Sequence, residues 1–170
     1  DTTRLIWLNS PGNPDGRILS VEKLRAAVER ARELDAIIAS DECYTELNWT
    51  ADTPAPSILD PRVLNGSRHN ILAVCSLSKQ SNLAGYRAGF VAGCSGVLKQ
   101  VLGVRKHLGL MVPSPVQAAM VAALRDDAHV DTQREVYRRR RGILRTALEA
   151  AGFRIDHSDA GLYLWATSGA

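Results

Sequence analysis

The sequence lacks a long hydrophobic run, a secretory leader and a strong net charge. No apolar stretch approaches the ~18 residues that a membrane helix needs, and the N-terminal Asp-Thr-Thr-Arg has no basic region followed by an apolar one. The net charge of +3 is too small to indicate nucleic-acid binding. The basic cluster at Arg138 to Arg141 points all round a helix, so we interpret it as a solvated helix with some stems packed along its apolar edge.

Cysteine is also scarce. Cys43, Cys75 and Cys94 are odd in number, widely spaced and without a C-x-x-C pair. This pattern is typical of reduced thiols and not of a disulfide framework or a zinc site. We therefore expect a cytoplasmic protein with no metal site, which binds neither a membrane nor nucleic acid.

The sequence does contain the alternation of predicted strands and helices that is typical of an α/β protein. Its 170 residues, 45% of them hydrophobic, suffice for a sizeable core. The apolar run Leu5 to Leu8 predicts a strand. The apolar spacing from Val21 to Leu34 predicts a helix, and Ser20 is predicted to cap its N-terminus. A second buried strand is predicted at Ala36 to Ala39. Strand, helix and strand in this order form a crossover unit that joins parallel strands.

The rest of the chain continues the pattern and then changes. Apolar runs predict strands at Ile71 to Cys75 and Ala88 to Ala92. Three helices are predicted after them, at Val97 to Leu108, Pro115 to Leu124 and Asp131 to Ala151. Gly152 is a typical residue just after the end of the last helix. Phe153 to Ile155 and Leu162 to Trp165 predict strands of a smaller unit. We expect an α/β fold with a mostly parallel sheet flanked by helices, in which residues 1–127 belong to a large domain and 128–170 begin a smaller α+β domain.

Polar residues follow three of the predicted strands. They lie at Asn9 to Gly16, Asp41 to Tyr44 and Ser76 to Lys79. Each segment alone could have a purely structural role, such as a turn, a helix cap or a solvated loop. Because ligands of open α/β sheets bind outside the carboxyl ends of the strands, the three segments together predict one binding site.

One ligand would use all of these residue types. Serine hydroxyls and an arginine such as Arg87 bind phosphate, the guanidinium bidentately. An aspartate can keep an aromatic ring nitrogen protonated, and a lysine can bind an aldehyde. Pyridoxal 5′-phosphate has a phosphate, such a nitrogen and an aldehyde, and it binds a lysine as a Schiff base.

The same residues carry a family resemblance. The segments NSPGNPDG from Asn9, DECY from Asp41, SLSK from Ser76 and GYRAG from Gly85 resemble, in order and spacing, the fold-type I aminotransferases of class I/II. The resemblance runs from Leu5 to Trp165. It departs from the family at Asp15, where threonine is usual, so that a negative charge is added beside the site.

The resemblance implies a role for each matching residue. Lys79 is the catalytic residue, which holds the cofactor covalently and carries a proton, and Asp41 pairs with the ring nitrogen. Tyr44 and Asn13 bond the ring oxygen, with the Asn13-Pro14 peptide in the cis form. The phosphate contacts are implied at Ser76, Ser78 and Arg87.

The resemblance also implies an activity. An aminotransferase of this family moves an amino group between an amino acid and a 2-oxo acid by a ping-pong mechanism, as a homodimer when full length. Segments such as SLSKQSNLAGYRAGF and SDAGLYLWAT are most similar to the actinobacterial N-succinyldiaminopimelate aminotransferases. That subgroup uses N-succinyl-LL-2,6-diaminopimelate and 2-oxoglutarate in diaminopimelate and lysine biosynthesis.

Other functions fit the same residues. Another amino-acid aminotransferase, or a β-lyase on the same scaffold, would keep every cofactor residue. The cofactor-sensing domain of a transcriptional regulator would bind the cofactor without turnover. The family's N-terminal half and its arginine for the substrate carboxylate do not match any part of the chain, so we expect the central segment of a longer protein.

Overall fold

Four strands form one sheet in the computed structural model, which describes residues 2–168 of the chain. Strands β1 (Leu5–Asn9), β2 (Ile37–Asp41) and β3 (Ile71–Ser76) run parallel to one another in that order. Strand β4 (Gly89–Gly93) pairs with β3 in the antiparallel direction. The expected α/β fold with a mostly parallel sheet is therefore confirmed.

Helix α1 (Val21–Glu33) connects β1 to β2 and covers one face of the sheet. The side chain of Ser20 caps it by accepting a hydrogen bond from the N–H of Lys23 at 3.4 Å, as predicted. A four-residue helix, α2 (Pro61–Leu64), packs beside α1. The core between these helices and the sheet consists of buried aliphatic side chains, among them Leu24, Val28, Ile38, Ile58, Val63 and Ile71.

The second half of the chain is mainly helical. A short helix, α3 (Leu77–Gln80), follows β3 directly, and α4 (Ser95–His107) and α5 (Ser114–Ala123) follow β4. Helix α6 (Asp127–Ala150) begins before the predicted Asp131, because the carboxylate of Asp126 caps it by accepting from the N–H of Ala128. Strands β5 (Arg154–Ile155) and β6 (Ala166–Thr167) form an antiparallel pair. Within residues 2–168, none of the helices combines the length and the apolar character that crossing a bilayer requires.

The strand predicted at Leu162 to Trp165 is wrong. Regular strand geometry is found only at β6, which is preceded by one backbone hydrogen bond, from the N–H of Asp156 to the carbonyl of Trp165 at 2.8 Å. Before that, side chains satisfy the backbone: the guanidinium of Arg141 donates to the carbonyls of Ser158 and Tyr163, and the hydroxyl of Ser158 accepts from the N–H of Trp165. A segment whose polar groups are bonded in this way has no need of a neighbouring strand.

The basic cluster of α6 is only partly solvated. Arg139 and Arg140 are exposed, as expected. The guanidinium carbons of Arg138 and Arg141, however, lie 5.7 and 5.9 Å from the ring centroid of Trp49, in the range of cation–π contacts. These two arginines therefore fasten α6 to the segment that follows β2.

The segment His157 to Gly161 joins the end of the chain to the loops at the sheet edge. The N–H of Ser158 donates to the carbonyl of Asp15, and the N–H of Ala160 to that of Gly16, each over 2.9 Å. Gly16 has a φ of +71°, and a β-carbon there would lie 2.5 Å from the carbonyl oxygen of Ala160. Only glycine permits this close approach.

Candidate active site

The three polar segments predicted to form a site lie at one edge of the sheet. Asn9 is paired with Asp41 across β1 and β2, and Asp41 with Val74 across β2 and β3. Strands β1 and β2 thus end at the same level, and β3 continues two residues further, to Ser76. The chain that leaves each of them enters the same space outside the sheet, where ligands of α/β proteins bind.

Asp41 is the last residue of β2, and its carboxylate is oriented by Cys43. One carboxylate oxygen accepts from the N–H of Cys43 at 3.1 Å. Burial, and then hydrogen bonding to Asp41, raise the pKa of the Cys43 thiol to about 12. The thiol therefore stays protonated at neutral pH.

Ser76, Ser78 and Lys79 come where β3 runs into α3 without a loop. The hydroxyl of Ser76 accepts from the N–H of Ser78 at 3.1 Å, and the two hydroxyl oxygens are 2.9 Å apart. Lys79 is half-buried and forms no salt bridge within residues 2–168. The two hydroxyls therefore lie together at the end of the strand next to that of Asp41, and Lys79 follows them on α3.

Arg87 returns to this strand end from the other side. It follows a 3₁₀ turn (Ala84–Tyr86), is exposed, and donates from Nη1 to the carbonyl of Ala84 at 2.9 Å. Its φ of +54° is uncommon for a residue with a side chain, and such strain is often kept at functional sites. Because Gly89 is paired with Ser76, Arg87 lies just beyond the strand end that carries the serine pair.

Tyr44 is buried, with 5% of its surface exposed. Its ring meets that of Tyr163 edge to face, with centroids 6.3 Å apart and planes at 68°. Burial, and then hydrogen bonding with Tyr163, raise the pKa of the Tyr44 phenol, so it is uncharged at neutral pH. The sequence did not reveal Tyr163, which the predicted strand placed in a different unit.

Asn13 is exposed on the loop after β1, and Asn9 fixes that loop. The side-chain oxygen of Asn9 accepts from the N–H of Asn13 at 2.7 Å, and its amide donates to the carbonyls of Pro11 and Asp41. The Asn13-Pro14 peptide is cis, as the resemblance implied. Sequence reasoning missed Asn9, although its place at the last residue of β1 was the available signal.

The unusual Asp15 is turned away into its own loop. Its carboxylate accepts from the backbone N–H of Arg17 and pairs with the Nε of Arg17, both at 3.2 Å. Arg17 in turn places Nη2 2.6 Å from Nε2 of His157. The charge that departs from the family pattern is thus compensated locally.

Glu42 points to the opposite face from Asp41, as alternate residues at a strand end do. It is 4% exposed and accepts from the hydroxyl of Ser57 at 2.7 Å and the N–H of Ile58 at 2.6 Å. Burial raises the pKa of its carboxyl group. Glu42 therefore anchors the segment at Ser57 and Ile58 and does not form a carboxylate pair with Asp41.

Comparison with known proteins identifies the family. The model of the family "Aminotransferase class I and II" matches residues 1–169. The chain belongs to this family, which depends on pyridoxal 5′-phosphate.

Three curated relatives show how the chain compares in sequence. It is 56% identical to the 4-dedimethylamino-4-oxo-anhydrotetracycline transaminase OxyQ of Streptomyces rimosus, over 99% of this chain and 46% of the relative. It is 58% identical to a probable aminotransferase of Mycobacterium tuberculosis, over 97% of this chain and 39% of the relative. An LL-diaminopimelate aminotransferase of Gloeobacter violaceus is 32% identical, over 96% of this chain and 41% of the relative. The chain thus spans less than half the length of these relatives.

Solved structures agree with the fold. An aminotransferase from Neisseria meningitidis superposes with a TM-score of 0.86 and 35% identity, covering 96% of this chain and 42% of that one. The N-succinyldiaminopimelate aminotransferase of Mycobacterium tuberculosis gives a TM-score of 0.84 at 28% identity, covering 94% and 41%.

The donor set at the sheet edge fits pyridoxal 5′-phosphate. The hydroxyl pair of Ser76 and Ser78 and the exposed guanidinium of Arg87 suit a phosphate. The carboxylate of Asp41 suits a protonated ring nitrogen, and the amine of Lys79 suits the aldehyde.

Proposed function

We propose that this chain is the lysine-bearing part of a longer aminotransferase that depends on pyridoxal 5′-phosphate. The supporting observation is the parallel register of Asn9, Asp41 and Val74, by which β1, β2 and β3 all run out at the same edge of the sheet. Residues 1–127 would be part of its large domain and 128–170 the start of its small domain. Full length, the protein would be a homodimer, which light scattering after size exclusion tests.

In this proposal the end of β3 and the turn before β4 hold the phosphate. Ser76 and Ser78 donate from their hydroxyls, and Arg87 supplies a bidentate positive charge. Such charge-assisted hydrogen bonds contribute about 1.5–3 kcal/mol each. Arg87 is therefore the main determinant of cofactor retention.

The other two strand ends hold the ring. Asp41, oriented by Cys43, keeps the ring nitrogen protonated. Tyr44 and Asn13 donate to the ring oxygen.

Lys79 has two roles in the proposed mechanism. Its amine would hold the cofactor covalently, and when an amino substrate is bound in its place, Nζ would be the group that takes the proton from the substrate α-carbon. Bound pyridoxal phosphate supplies the electron sink that makes loss of this proton possible.

For the substrate we propose N-succinyl-LL-2,6-diaminopimelate, with 2-oxoglutarate as amino acceptor. Support comes from the similarity to the N-succinyldiaminopimelate aminotransferase structure and to the LL-diaminopimelate aminotransferase. A second candidate, amino transfer to a polycyclic ketone, is favoured by the 56% identity with the tetracycline-pathway transaminase. Both use the same cofactor residues.

The test uses the full-length protein. Borohydride reduction followed by peptide mass spectrometry should find the cofactor on Lys79. Transfer is then measured from N-succinyl-LL-diaminopimelate, LL-diaminopimelate and glutamate, with 2-oxoglutarate or 4-dedimethylamino-4-oxo-anhydrotetracycline as acceptor. Cofactor binding without transfer to any acceptor would indicate the regulator, and pyruvate released from cysteine conjugates would indicate a β-lyase.

A further inference from the structure

The first turn of α6 contacts the segment that carries Lys79. Nε2 of His129 lies 2.9 Å from the hydroxyl oxygen of Ser81. Ser81 comes two residues after Lys79 and caps the C-terminus of α3, where its N–H donates to the carbonyl of Leu77 at 3.2 Å. The end of the lysine segment is thus fixed through both the backbone and the side chain of Ser81.

The His129 ring is held on its other side as well. Nδ1 lies 3.4 Å from a carboxylate oxygen of Asp126, the cap of α6, and the side chain is 30% exposed. Nδ1 thus faces Asp126 while Nε2 faces the Ser81 hydroxyl. Asp126, His129 and Ser81 therefore form one connected chain of side chains.

The start of α3 is anchored differently. Leu77 is fully buried, and its N–H donates to the carbonyl of Ala88 at 3.2 Å, beside the β3–β4 pairing. Lys79 therefore lies between one anchor in the sheet and one in α6. Removing the second anchor would leave the C-terminal end of this segment held by backbone hydrogen bonds alone.

Helix α6 is itself fastened to a second strand end. Arg134 donates to the carbonyl of Asn48 at 2.9 Å, of Ala51 at 2.6 Å and of Asp52 at 3.0 Å. These carbonyls belong to the segment that follows Tyr44. The first two turns of α6 thus tie the lysine segment to the segment after β2.

From these contacts we infer that His129 is a positioning residue, which holds Lys79 in register with Asp41 and Tyr44 through Ser81 and so couples the site to α6. The inference rests on the proposed function of Lys79. It adds a residue outside the three strand ends, at the proposed boundary between the domains. A displaced reacting group costs 10²-fold in rate for about 1 Å, so the positioning matters chiefly for kcat.

The test compares variants of the full-length protein loaded with pyridoxal phosphate. We expect His129→Ala and Ser81→Ala each to lower kcat about 10- to 100-fold with little change in KM or cofactor content. The double variant should lose no more than either single one, because both remove one contact. His129→Gln, whose amide reaches the position of Nε2, should recover most of kcat. His69→Ala, at the opposite end of β3, is the matched control.

Hydrogen exchange provides a readout that needs no turnover. The amides of residues 77–83 should exchange faster in His129→Ala and Ser81→Ala, and at the wild-type rate in His69→Ala. If the wild type transfers no amino group, the proposed function fails while the exchange measurement still tests the contact. Unchanged exchange in His129→Ala, unchanged kcat, or losses that add in the double variant would overturn the inference.

Discussion

Asn9 and Asn13 are joined by a 2.7 Å hydrogen bond, in which the side-chain oxygen of Asn9 accepts from the backbone N–H of Asn13. The amide group of the same Asn9 donates to the carbonyl of Asp41 at 3.4 Å. One side chain at the end of β1 therefore sets the positions of two residues that are proposed to contact the cofactor ring.

Replacing Asn9 by alanine should weaken cofactor binding. Loss of these two hydrogen bonds, at about 1 kcal/mol each, should raise the Kd for pyridoxal phosphate by up to about 30-fold. Asn9→Asp keeps the acceptor for Asn13 and loses the donor, so its Kd should be intermediate. Titration of the cofactor-free protein measures both values, and an Asn9→Ala protein with the wild-type Kd would contradict the role.

Lys79→Ala should abolish amino transfer and the visible absorbance of the lysine-bound cofactor, because no other amine replaces the covalent link. Lys99→Ala, on the exposed surface of α4, is the control and should keep both properties. Spectra and initial rates at saturating cofactor measure them. Normal turnover by Lys79→Ala would remove the basis of the proposed mechanism.

Arg87→Ala should act on cofactor retention. We expect the Kd for pyridoxal phosphate to rise about 10- to 100-fold, since a charged hydrogen bond contributes about 1.5–3 kcal/mol, while kcat at saturating cofactor changes little. Arg87→Lys keeps the charge without the bidentate geometry and should recover part of the affinity. The exposed Arg68→Ala serves as control. A large fall in kcat with unchanged Kd would contradict the assignment.

Glu42 should make stability depend on pH. Burial raises its pKa in the folded protein, so the folded state binds this proton more tightly than the unfolded state does. Its contribution is greatest below the unfolded pKa and is lost as the pH rises through the folded pKa. Glu42→Gln has no charge to desolvate, and its free energy of unfolding relative to the wild type should increase with pH over that interval.

Urea unfolding of Glu42→Gln and wild type at several pH values measures this difference. The pKa of Glu46 is also raised by burial, but Glu46 is present in both proteins and cancels in the comparison. Glu29→Gln, on the exposed face of α1, should show no such trend. A difference that stays constant from acid to neutral pH would exclude the effect of Glu42.

Gly16→Ala should destabilise the protein more than Gly66→Ala. Both glycines have positive φ angles, +71° and +99°, so both substitutions carry a strain of about 1 kcal/mol. Only Gly16 has a backbone oxygen 2.5 Å from the added β-carbon, whereas Gly66 faces open space. We expect a loss of about 3 kcal/mol or more for Gly16→Ala in denaturant unfolding, and equal losses would argue against the clash.

Local sequence patterns sufficed to predict the first strands. The run from Leu5, the cap at Ser20 and the apolar spacing of α1 each act over a few residues, and the structure confirms them. The polar segments after β1, β2 and β3 could be placed at one edge because parallel strands share a direction.

What the sequence could not show depends on contacts between distant residues. The bonds of Arg141 to Ser158 and Tyr163 replace a strand where an apolar run predicted one. The contact of His129 with Ser81 spans 48 positions, and that of Trp49 with Gly161 spans 112. No periodicity or motif records such pairings, which exist only after the helices have packed.

The position of the three strand ends at one edge of the sheet has a thermodynamic consequence. A ligand that binds all three acts as a reversible cross-link between segments far apart in sequence, and at 100 times its Kd it adds about 2.7 kcal/mol of stability. The opposite edge of the sheet, where Val28, His69 and Asn70 line a cavity of about 90 Å³, gains no such cross-link. Cofactor loading should therefore slow local opening at one end of the sheet and leave the fluctuations of the other end almost unchanged.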